Sequence, residues 1–81
     1  MEIKRYQKDG LDVEEEYHDN GNLAFRQYRL NGKYHRPDGP AIEDYNENGT
    51  LNYKKYFLKG KEYTESQFKA IQRIKKLKHE D

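Results

Sequence analysis

The apolar and polar positions of this chain repeat at one fixed offset along the sequence. Nine positions match when the chain is shifted against itself by that offset: Tyr17 with Tyr45, Asn20 with Asn48, Gly21 with Gly49, Leu23 with Leu51, Phe25 with Tyr53, Tyr28 with Tyr56, Leu30 with Leu58, Gly32 with Gly60, and Lys33 with Lys61. Matches at one constant offset indicate a repeat architecture. With a slip of one residue, segment 6–14 also aligns with segment 34–43, so the chain reads as about two and a half units followed by a different tail.

Each unit has the pattern of a β-hairpin. Asn20-Gly21 and Asn48-Gly49 lie between segments rich in Tyr, Phe, Leu and Val, and Asn-Gly tolerates the positive φ that tight primed turns require. A second turn follows each hairpin, at Asn31-Gly32 and at Lys59-Gly60. The pattern predicts antiparallel strands near residues 12–18, 23–30, 33–35, 41–46, 51–58 and 61–63.

The long strand of each unit breaks the alternation of a simple strand. Leu23 and Phe25 have one parity, whereas Tyr28 and Leu30 have the other. A strict period of two does not place all four on one face. We therefore expect a bulge or sharp twist at the same point of both copies, near Arg26-Gln27 and near Lys54-Lys55. The alternative is that both faces of the sheet are partly covered.

The C-terminal segment changes to helical spacing. Thr64-Glu65-Ser66-Gln67 matches a capping box. An apolar stripe follows at Phe68, Ala70, Ile71, Ile74 and Leu77, which predicts an amphipathic helix over about residues 65–78 that packs on the sheet. The expected fold class is mainly β. We expect one domain over 1–81, with a twisted antiparallel meander of repeated β-hairpins at about 5–63 and a C-terminal amphipathic α-helix within 64–78.

Composition predicts a small domain with a thin core. The chain has 81 residues and no cysteine, and Leu, Ile, Val and Phe together number 14. Eight tyrosines can bury their rings while keeping their hydroxyls hydrated, and 16 Lys and Arg nearly balance 15 Asp and Glu, which argues against disorder. Disulfides and thiolate sites are excluded. We expect a soluble protein with neither a membrane span nor a secretion signal.

The connector at residues 35–40 holds the best candidate for acid and base chemistry. His35 stands beside Arg36 and Asp38, but a general base needs a pocket and a short meander offers little concavity. We therefore favour a rigid connector in which His35 and Arg36 hydrogen-bond the neighbouring turn. Segment 19–22 lacks the carboxylates of a calcium loop, and the three histidines lack ligand spacing. The sequence predicts no catalytic residue, no metal site and no cofactor.

A net charge of +1 conceals two charged segments. Residues 9–19 carry six carboxylates and no Lys or Arg, and the candidate partner-binding residues among them are Asp12, Glu14, Glu15, Glu16 and Asp19. The simplest interpretation is a solvated edge that resists aggregation. The functional interpretation is an anionic patch that docks on a basic surface.

The basic segment is the tail. Residues 66–78 carry five Lys and Arg, and the candidate residues for binding a partner or phosphates are Lys69, Arg73 and Lys76. Such a helix could follow a nucleic-acid backbone. We favour an ordinary polar helix face with cations near its C-terminus, because the whole chain is close to neutral.

One phrase resembles a known repeat. Residues 31–41 read NGKYHRPDGPA, which resembles the N-G-K-x-H-R-x-D-G-P-A unit of MORN-like hairpin proteins of the small phage and bacterial type. The resemblance covers about residues 5–63, but the second copy of the phrase decays at residues 59–63 into a terminal unit. Such proteins look like protein-binding or scaffold modules. No catalytic residue carries over, because the motif consists of turn and packing residues.

The resemblance and the charge pattern together favour one function. We expect a non-enzymatic protein-binding module, a small phage or mobile-element inhibitor in the cytoplasm of the host cell. It would block a host protein or defence complex in an anti-CRISPR-like manner, by steric and electrostatic occlusion. The alternatives are a nucleic-acid-binding accessory protein that uses the basic helix, and a structural scaffold repeat. A homodimer through exposed edge strands is a further alternative.

Overall fold

Seven strands and one helix follow one another in the computed structural model, which describes residues 2–79 and their side chains as far as Lys75. In chain order they are β1 (Glu2–Lys8), β2 (Leu11–Tyr17), β3 (Leu23–Leu30), β4 (Lys33–Tyr34), β5 (Ile42–Tyr45), β6 (Leu51–Leu58), β7 (Lys61–Tyr63) and α1 (Glu65–His79). The predicted antiparallel meander with a C-terminal helix is confirmed. The prediction missed β1, because every residue of that strand is exposed and a strand that buries nothing leaves no alternating hydrophobic pattern.

The strands form an antiparallel sheet that repeats one arrangement twice. Their order is β1-β2-β3-β5-β6-β7, and β4 pairs with β3 on the same side as β5. A long strand is thus followed in each unit by a short one that folds back on its second half: β4 on β3, and β7 on β6. Laying the units side by side gives an elongated molecule of 48 × 24 × 21 Å.

Two kinds of turn connect the strands. Asp9-Gly10, Asn31-Gly32 and Lys59-Gly60 have positive φ at both residues, as two-residue primed turns require. At Asn20-Gly21 and Asn48-Gly49, only the glycine has positive φ, because these pairs lie inside longer loops closed by hydrogen bonds between residues 18 and 22 and between 46 and 50. The prediction of tight primed turns at these two positions is therefore wrong.

The slipped alignment of the first half-unit is also corrected. It places Asp9-Gly10 on Asp38-Gly39, but Asp9-Gly10 is the hairpin turn between β1 and β2, and Gly39 does not have positive φ. The matching residue types therefore have different backbone roles. The full-length pairing of β1 with β2 makes the N-terminal region an additional hairpin strand and not a copy of the connector.

Each hairpin contains a bulge, as the break in parity predicts. Glu16 pairs with Phe25 but the next residue, Tyr17, pairs with Leu23, so Ala24 is the extra residue of the bulge. Asn52 is the extra residue at the equivalent position of the second copy. The expected position, residues 26–27 and 54–55, is wrong by two or three residues. Parity alone places the break between the two aromatic residues of the strand, whereas the ladder is interrupted closer to the loop.

The bulge decides which face each apolar side chain occupies. It moves Leu23 to the face of Tyr28 and Leu30 and leaves Phe25 on the other side, because a shift of one residue reverses the side-chain direction. Phe25 is half-buried there. Both faces are therefore partly covered, so the alternative interpretation holds together with the bulge.

We call the two sides of the sheet the core face and the open face. Val13 pairs with Tyr6 and Tyr28, and these residues define the core face. The open face carries Glu14, Glu16 and the residues paired with them. The buried apolar residues of the described chain are Leu11, Val13, Tyr28, Ala41, Ile42, Tyr56 and Phe68. The apolar core is thus short, and tyrosines form a large part of it.

Two different segments cover equivalent tyrosines on the core face. The Arg36 guanidinium of the connector lies 4.2 Å from the ring centroid of Tyr28. At Tyr56, the equivalent position of the second unit, the ring of Phe68 takes this role, with the two centroids 4.6 Å apart. The helix therefore closes the last unit where the connector closes the first.

The start of α1 follows the predicted capping box. The Gln67 N–H donates to Thr64 Oγ1 at 3.1 Å, and the Thr64 N–H donates to Gln67 Oε1 at 3.0 Å. These bonds satisfy two backbone groups that an uncapped helix leaves unpaired. Within the described residues, α1 is neither long nor apolar enough to cross a membrane.

Replacing Phe68 with alanine tests the closing role of the helix. Phe68 is 1% exposed, so we expect Phe68→Ala to lower the free energy of unfolding by about 3 kcal/mol, measured by urea titration with circular dichroism. Ile74→Ala on the same helix is the control, because Ile74 is 55% exposed and its truncation should stay within about 0.5 kcal/mol. Equal effects of the two substitutions would contradict this role.

Candidate functional site

Glu15 lies at the centre of a hydrogen-bonded cluster inside the core face. It is 6% exposed. Its carboxylate accepts three hydrogen bonds: from Tyr6 Oη at 2.9 Å, from Tyr17 Oη at 2.8 Å and from Arg26 Nε at 2.8 Å. A buried carboxylate is tolerated only when its lone pairs are matched in this way. Glu15 is therefore part of the interior.

The second unit repeats the carboxylate. Glu43 is the repeat equivalent of Glu15 and accepts from Tyr45 Oη at 3.1 Å, as Glu15 does from Tyr17. Arg26 Nη1 lies 3.4 Å from Glu43 Oε1, so one guanidinium joins both carboxylates. Glu15, Arg26 and Glu43 thus form an alternating charge ladder across β2, β3 and β5.

Ion pairs of the same alternating kind continue towards the helix. Lys54 is the repeat equivalent of Arg26, and its Nζ lies 3.6 Å from Glu65 Oε1. Lys69 Nζ lies 3.1 Å from the other oxygen of Glu65. Glu65 therefore stands next to Lys54 beside the first half of β6, with which β7 does not pair.

The environment of Glu15 makes it a contributor to stability at neutral pH. Burial opposes ionisation, but the hydrogen bonds from Tyr17, Tyr6 and Arg26 outweigh it and hold the pKa of Glu15 below its ordinary value of 4.5. A carboxylate with a lowered folded-state pKa stabilises the fold above the unfolded pKa. This contribution is lost as the pH falls below 4.5 towards the folded-state pKa.

The missed strand β1 changes the environment of the acidic segment. Arg5 Nε lies 2.9 Å from Glu14 Oε1, and Gln7 Nε2 donates to Asp12 Oδ1 at 3.0 Å. Glu14 and Asp12 are thus engaged by the neighbouring strand on the open face. The five acidic candidates do not act as one surface, because Glu15 points into the core face.

The remaining acidic candidates lie at the loop end of the hairpin. Glu16 is half-buried on the open face, opposite Phe25, and Asp19 is exposed in the loop that follows β2. Within the described residues, Glu16 has no hydrogen-bond or ion-pair partner. Glu16 is therefore the acidic candidate whose position most favours an external cation.

The basic candidates lie elsewhere. α1 packs against β6 and β7, at the opposite end of the strand order from β2. Lys69 pairs with Glu65 in the helix, and Arg73 is exposed. Lys76 lies in the helical backbone, but its side chain is outside the described residues. The structure thus brings none of the acidic candidates next to the basic ones.

His35 anchors the connector to a turn, as the favoured interpretation expects. The backbone N–H of Lys59 donates to His35 Nδ1 at 2.9 Å, and Arg36 Nε lies 3.1 Å from Asp38 Oδ1. Burial, together with the charges of Lys75 and Lys59, lowers the pKa of His35 below 6.5. Since Nδ1 accepts a hydrogen bond, the ring is neutral with its proton on Nε2.

A row of five side chains crosses the open face at the level of Glu16. Register places one residue on each of β1, β2, β3, β5 and β6: Ile3, Glu16, Phe25, Asp44 and Tyr53. We call this set the acidic aromatic row. Ile3 and Tyr53 at its ends are 49% and 44% exposed, and the three residues between them are half-buried.

The two carboxylates of the acidic aromatic row form no ion pair with any described residue. Asp44 accepts a hydrogen bond from the neutral Asn52 amide at 3.3 Å. They stand on either side of Phe25, on strands about 10 Å apart. An aromatic face between two half-buried carboxylates is suited to a Lys or Arg side chain.

Sequence reasoning found Glu16 but missed the other members of the row. The repeat contained the signal, since Asp44 and Tyr53 are the repeat equivalents of Glu16 and Phe25. What was lacking was the position of the bulge, which places Phe25 on the open face. Ile3 was missed together with β1.

Comparison with known proteins returned no match. No family model, no curated protein and no solved structure is significantly similar to this chain. The function is therefore inferred from the geometry and the residue types.

The buried carboxylate of Glu15 and the half-buried carboxylate of its neighbour Glu14 form a matched pair for testing. We expect Glu15→Ala to lower the free energy of unfolding by about 3 kcal/mol, because it leaves Arg26 and two tyrosine hydroxyls without their shared acceptor. Glu14→Ala should cost under about 1 kcal/mol, because the Glu14 pair with Arg5 is solvent-exposed. Urea titrations at pH 7 measure both values. A larger loss in Glu14→Ala would exclude Glu15 as the centre of the interior cluster.

The neutral His35 ring predicts a pH dependence of stability. Its lowered pKa means that its contribution is present above pH 6.5 and is lost as the pH falls below that value. We expect His35→Gln to reduce the slope of unfolding free energy against pH between about pH 5 and 7. Urea titrations across this interval test the prediction, and identical slopes for the two proteins would refute it.

Proposed function

We propose that this protein is a non-enzymatic protein-binding module and that the acidic aromatic row is its contact surface. The observation that carries the proposal is the pair of half-buried carboxylates, Glu16 and Asp44, which form no ion pair among the described residues. The one ammonium group of the described residues that lies over a member of the row is that of Lys55, whose Nζ lies 5.9 Å from the centroid of the Tyr53 ring. On the core face, by contrast, Glu15 and Glu43 are both joined to Arg26. The two carboxylates without an ion pair therefore lie on the open face, where a partner protein can supply a pairing cation.

The row combines charge with apolar area, as protein-binding surfaces do. Ile3 and Tyr53 expose large side chains at its two ends, and Phe25 presents an aromatic ring between the carboxylates. Carboxylates that are already partly desolvated lose less hydration on binding than fully exposed ones. A Lys or Arg of the partner would contact both charges and lie against the Phe25 ring.

The dimensions of the face suit a protein partner. A row crossing five strands extends about 19 Å in the direction of the strand order, and the molecule measures 48 × 24 × 21 Å. A standard interface covers about 800 Å² on each partner, so the contact we propose extends beyond the row over the neighbouring part of the open face. The occupant we propose is a folded protein with a basic patch bordered by apolar residues.

The finer proposal follows the phrase at residues 31–41. Its resemblance to MORN-like repeats of the small phage and bacterial type supports a phage or mobile-element protein that blocks a host protein or defence complex. Occlusion fits the chemistry of the row, because an acidic surface that covers a basic patch excludes other anions from it. Nucleic acid is the anion that such a host patch would ordinarily bind.

Charge reversal in the row tests the proposal. We expect Glu16→Lys with Asp44→Lys to reduce at least about tenfold the amount of any host protein retained in affinity purification from nuclease-treated lysate, quantified by mass spectrometry. The control carries Glu47→Lys with Glu62→Lys, which make the same change in net charge at exposed positions outside the row.

The control determines how the result is interpreted. Loss of retention only in the row variant, with circular dichroism matching the parent, would support the proposed surface. Equal retention by the row variant and the parent, equal loss in both variants, or no retained protein at all would each refute it.

A further inference from the structure

A cavity of about 470 Å³ lies on the open face of the sheet, across β1, β2 and β3. Its polar lining consists of Arg5, Gln7, Asp12, Glu14, Gln27 and Arg29. The volume lies within the range of about 300–1,000 Å³ that small-molecule sites occupy. This cavity does not include any member of the acidic aromatic row.

Arg29 is the unusual group in the cavity wall. It has no carboxylate partner within the described residues, and its Nη2 instead donates to two neutral oxygens, Gln27 Oε1 at 3.4 Å and Tyr34 Oη at 3.3 Å. Its Nε is shielded from water and has no hydrogen-bond acceptor. A guanidinium without an anion, with a buried donor unsatisfied, is an energetically costly arrangement.

The other groups of the lining do not neutralise Arg29. Glu14 is engaged by Arg5 at 2.9 Å, and Asp12 accepts from Gln7 at 3.0 Å although it lies directly opposite Arg29 in the register. Within the described residues, Arg29 and Asp12 are therefore the two charged groups of the lining that form no ion pair. An added anion would give the Arg29 guanidinium the charged acceptor that it lacks.

The repeat shows that the fold itself does not require this chemistry. In the second unit, the equivalent positions of Glu14, Gln27 and Arg29 are taken by Ile42, Lys55 and Phe57. Phe57 packs on Tyr34 with ring centroids 5.1 Å apart, whereas the Arg29 guanidinium lies 4.9 Å from the centroid of the same ring. An aromatic residue therefore serves for packing at the equivalent place, and the polar set in the first unit needs another explanation.

We propose that this cavity is a binding site for a carboxylate group, with Arg29 as the principal receptor and the Gln27 amide as a second donor. The planar guanidinium matches a carboxylate in a two-point contact. Asp12 and Glu14 at the same cavity repel a dianion more strongly than a monoanion, which favours a carboxylate over a phosphate. The ligand is a small molecule or a peptide that carries one such group.

NMR titration of the intact protein provides the test, because the shielded Arg29 Nε–H should exchange slowly enough to be observed. The probes are N-acetylalanine, which mimics a peptide C-terminus, and the α-amide of N-acetylaspartate, which mimics an acidic side chain. N-acetylalanine amide and inorganic phosphate are the comparison compounds. We expect at least one carboxylate probe to shift the signals of Arg29 Nε–H and the Gln27 amide saturably, and the neutral amide to leave them unchanged.

The repeat supplies the variant. Arg29→Phe installs the residue found at the equivalent position of the second unit, so the fold should accept it, and we expect it to weaken carboxylate binding at least about tenfold, followed on the Gln27 amide. Arg73→Gln, which removes an exposed arginine from α1, should leave the affinity unchanged. The carboxylate probe that binds more tightly identifies the source of the group.

Three results would overturn the inference. They are the absence of any shift with either carboxylate, binding that persists unchanged in Arg29→Phe, and tighter binding of phosphate than of both carboxylates. The site is independent of the proposed function, since substitutions in the acidic aromatic row leave the cavity lining intact.

Discussion

The fold depends on a guanidinium shared between two interior carboxylates. Arg26 joins Glu15 to Glu43 across three strands, and the tyrosine hydroxyls of both units satisfy the remaining acceptors. A chain with so few aliphatic residues does not fill a sheet face with apolar side chains alone. Ion pairs therefore occupy part of its interior, and they are tolerated because their carboxylates also accept hydrogen bonds from tyrosine hydroxyls. This requirement holds β2, β3 and β5 in a single register, since a slip of one residue would turn the charged groups to the other face.

The small number of aliphatic residues also explains how the repeat ends. Each unit leaves a tyrosine on the core face that the next segment has to cover: Arg36 of the connector covers Tyr28, and Phe68 of the helix covers Tyr56. Repeat proteins need a terminal element that closes the last unit. Here α1 closes the last unit with two contacts. Its Phe68 covers the Tyr56 ring, and its Glu65 pairs with Lys54.

The sequence was sufficient for the strands that recur and for the capped helix, because both have a periodic signal. It was insufficient for β1, whose residues are all exposed and which is recognised only through its pairing with β2. That omission also affected the candidate site: without β1, the acidic segment looked like one patch, although Arg5 engages Glu14 and the core face takes Glu15. The bulge was predictable in kind, but its position depends on whether Phe25 belongs to the core, and parity alone does not decide that.

The repeat separates three groups of polar residues by their roles. Glu15 and Glu43 recur and are paired inside, so they serve the fold. Glu16 and Asp44 also recur, yet within the described residues they form no ion pair on the open face. The repeat thus builds a surface with duplicated charge beside duplicated aromatic rings, which suits an extended protein partner. Arg29 does not recur, because Phe57 replaces it in the second unit. Since packing there is satisfied by an aromatic residue, the unpaired guanidinium is a departure from the repeat. A departure that leaves a buried donor unsatisfied is more readily explained by a ligand than by stability.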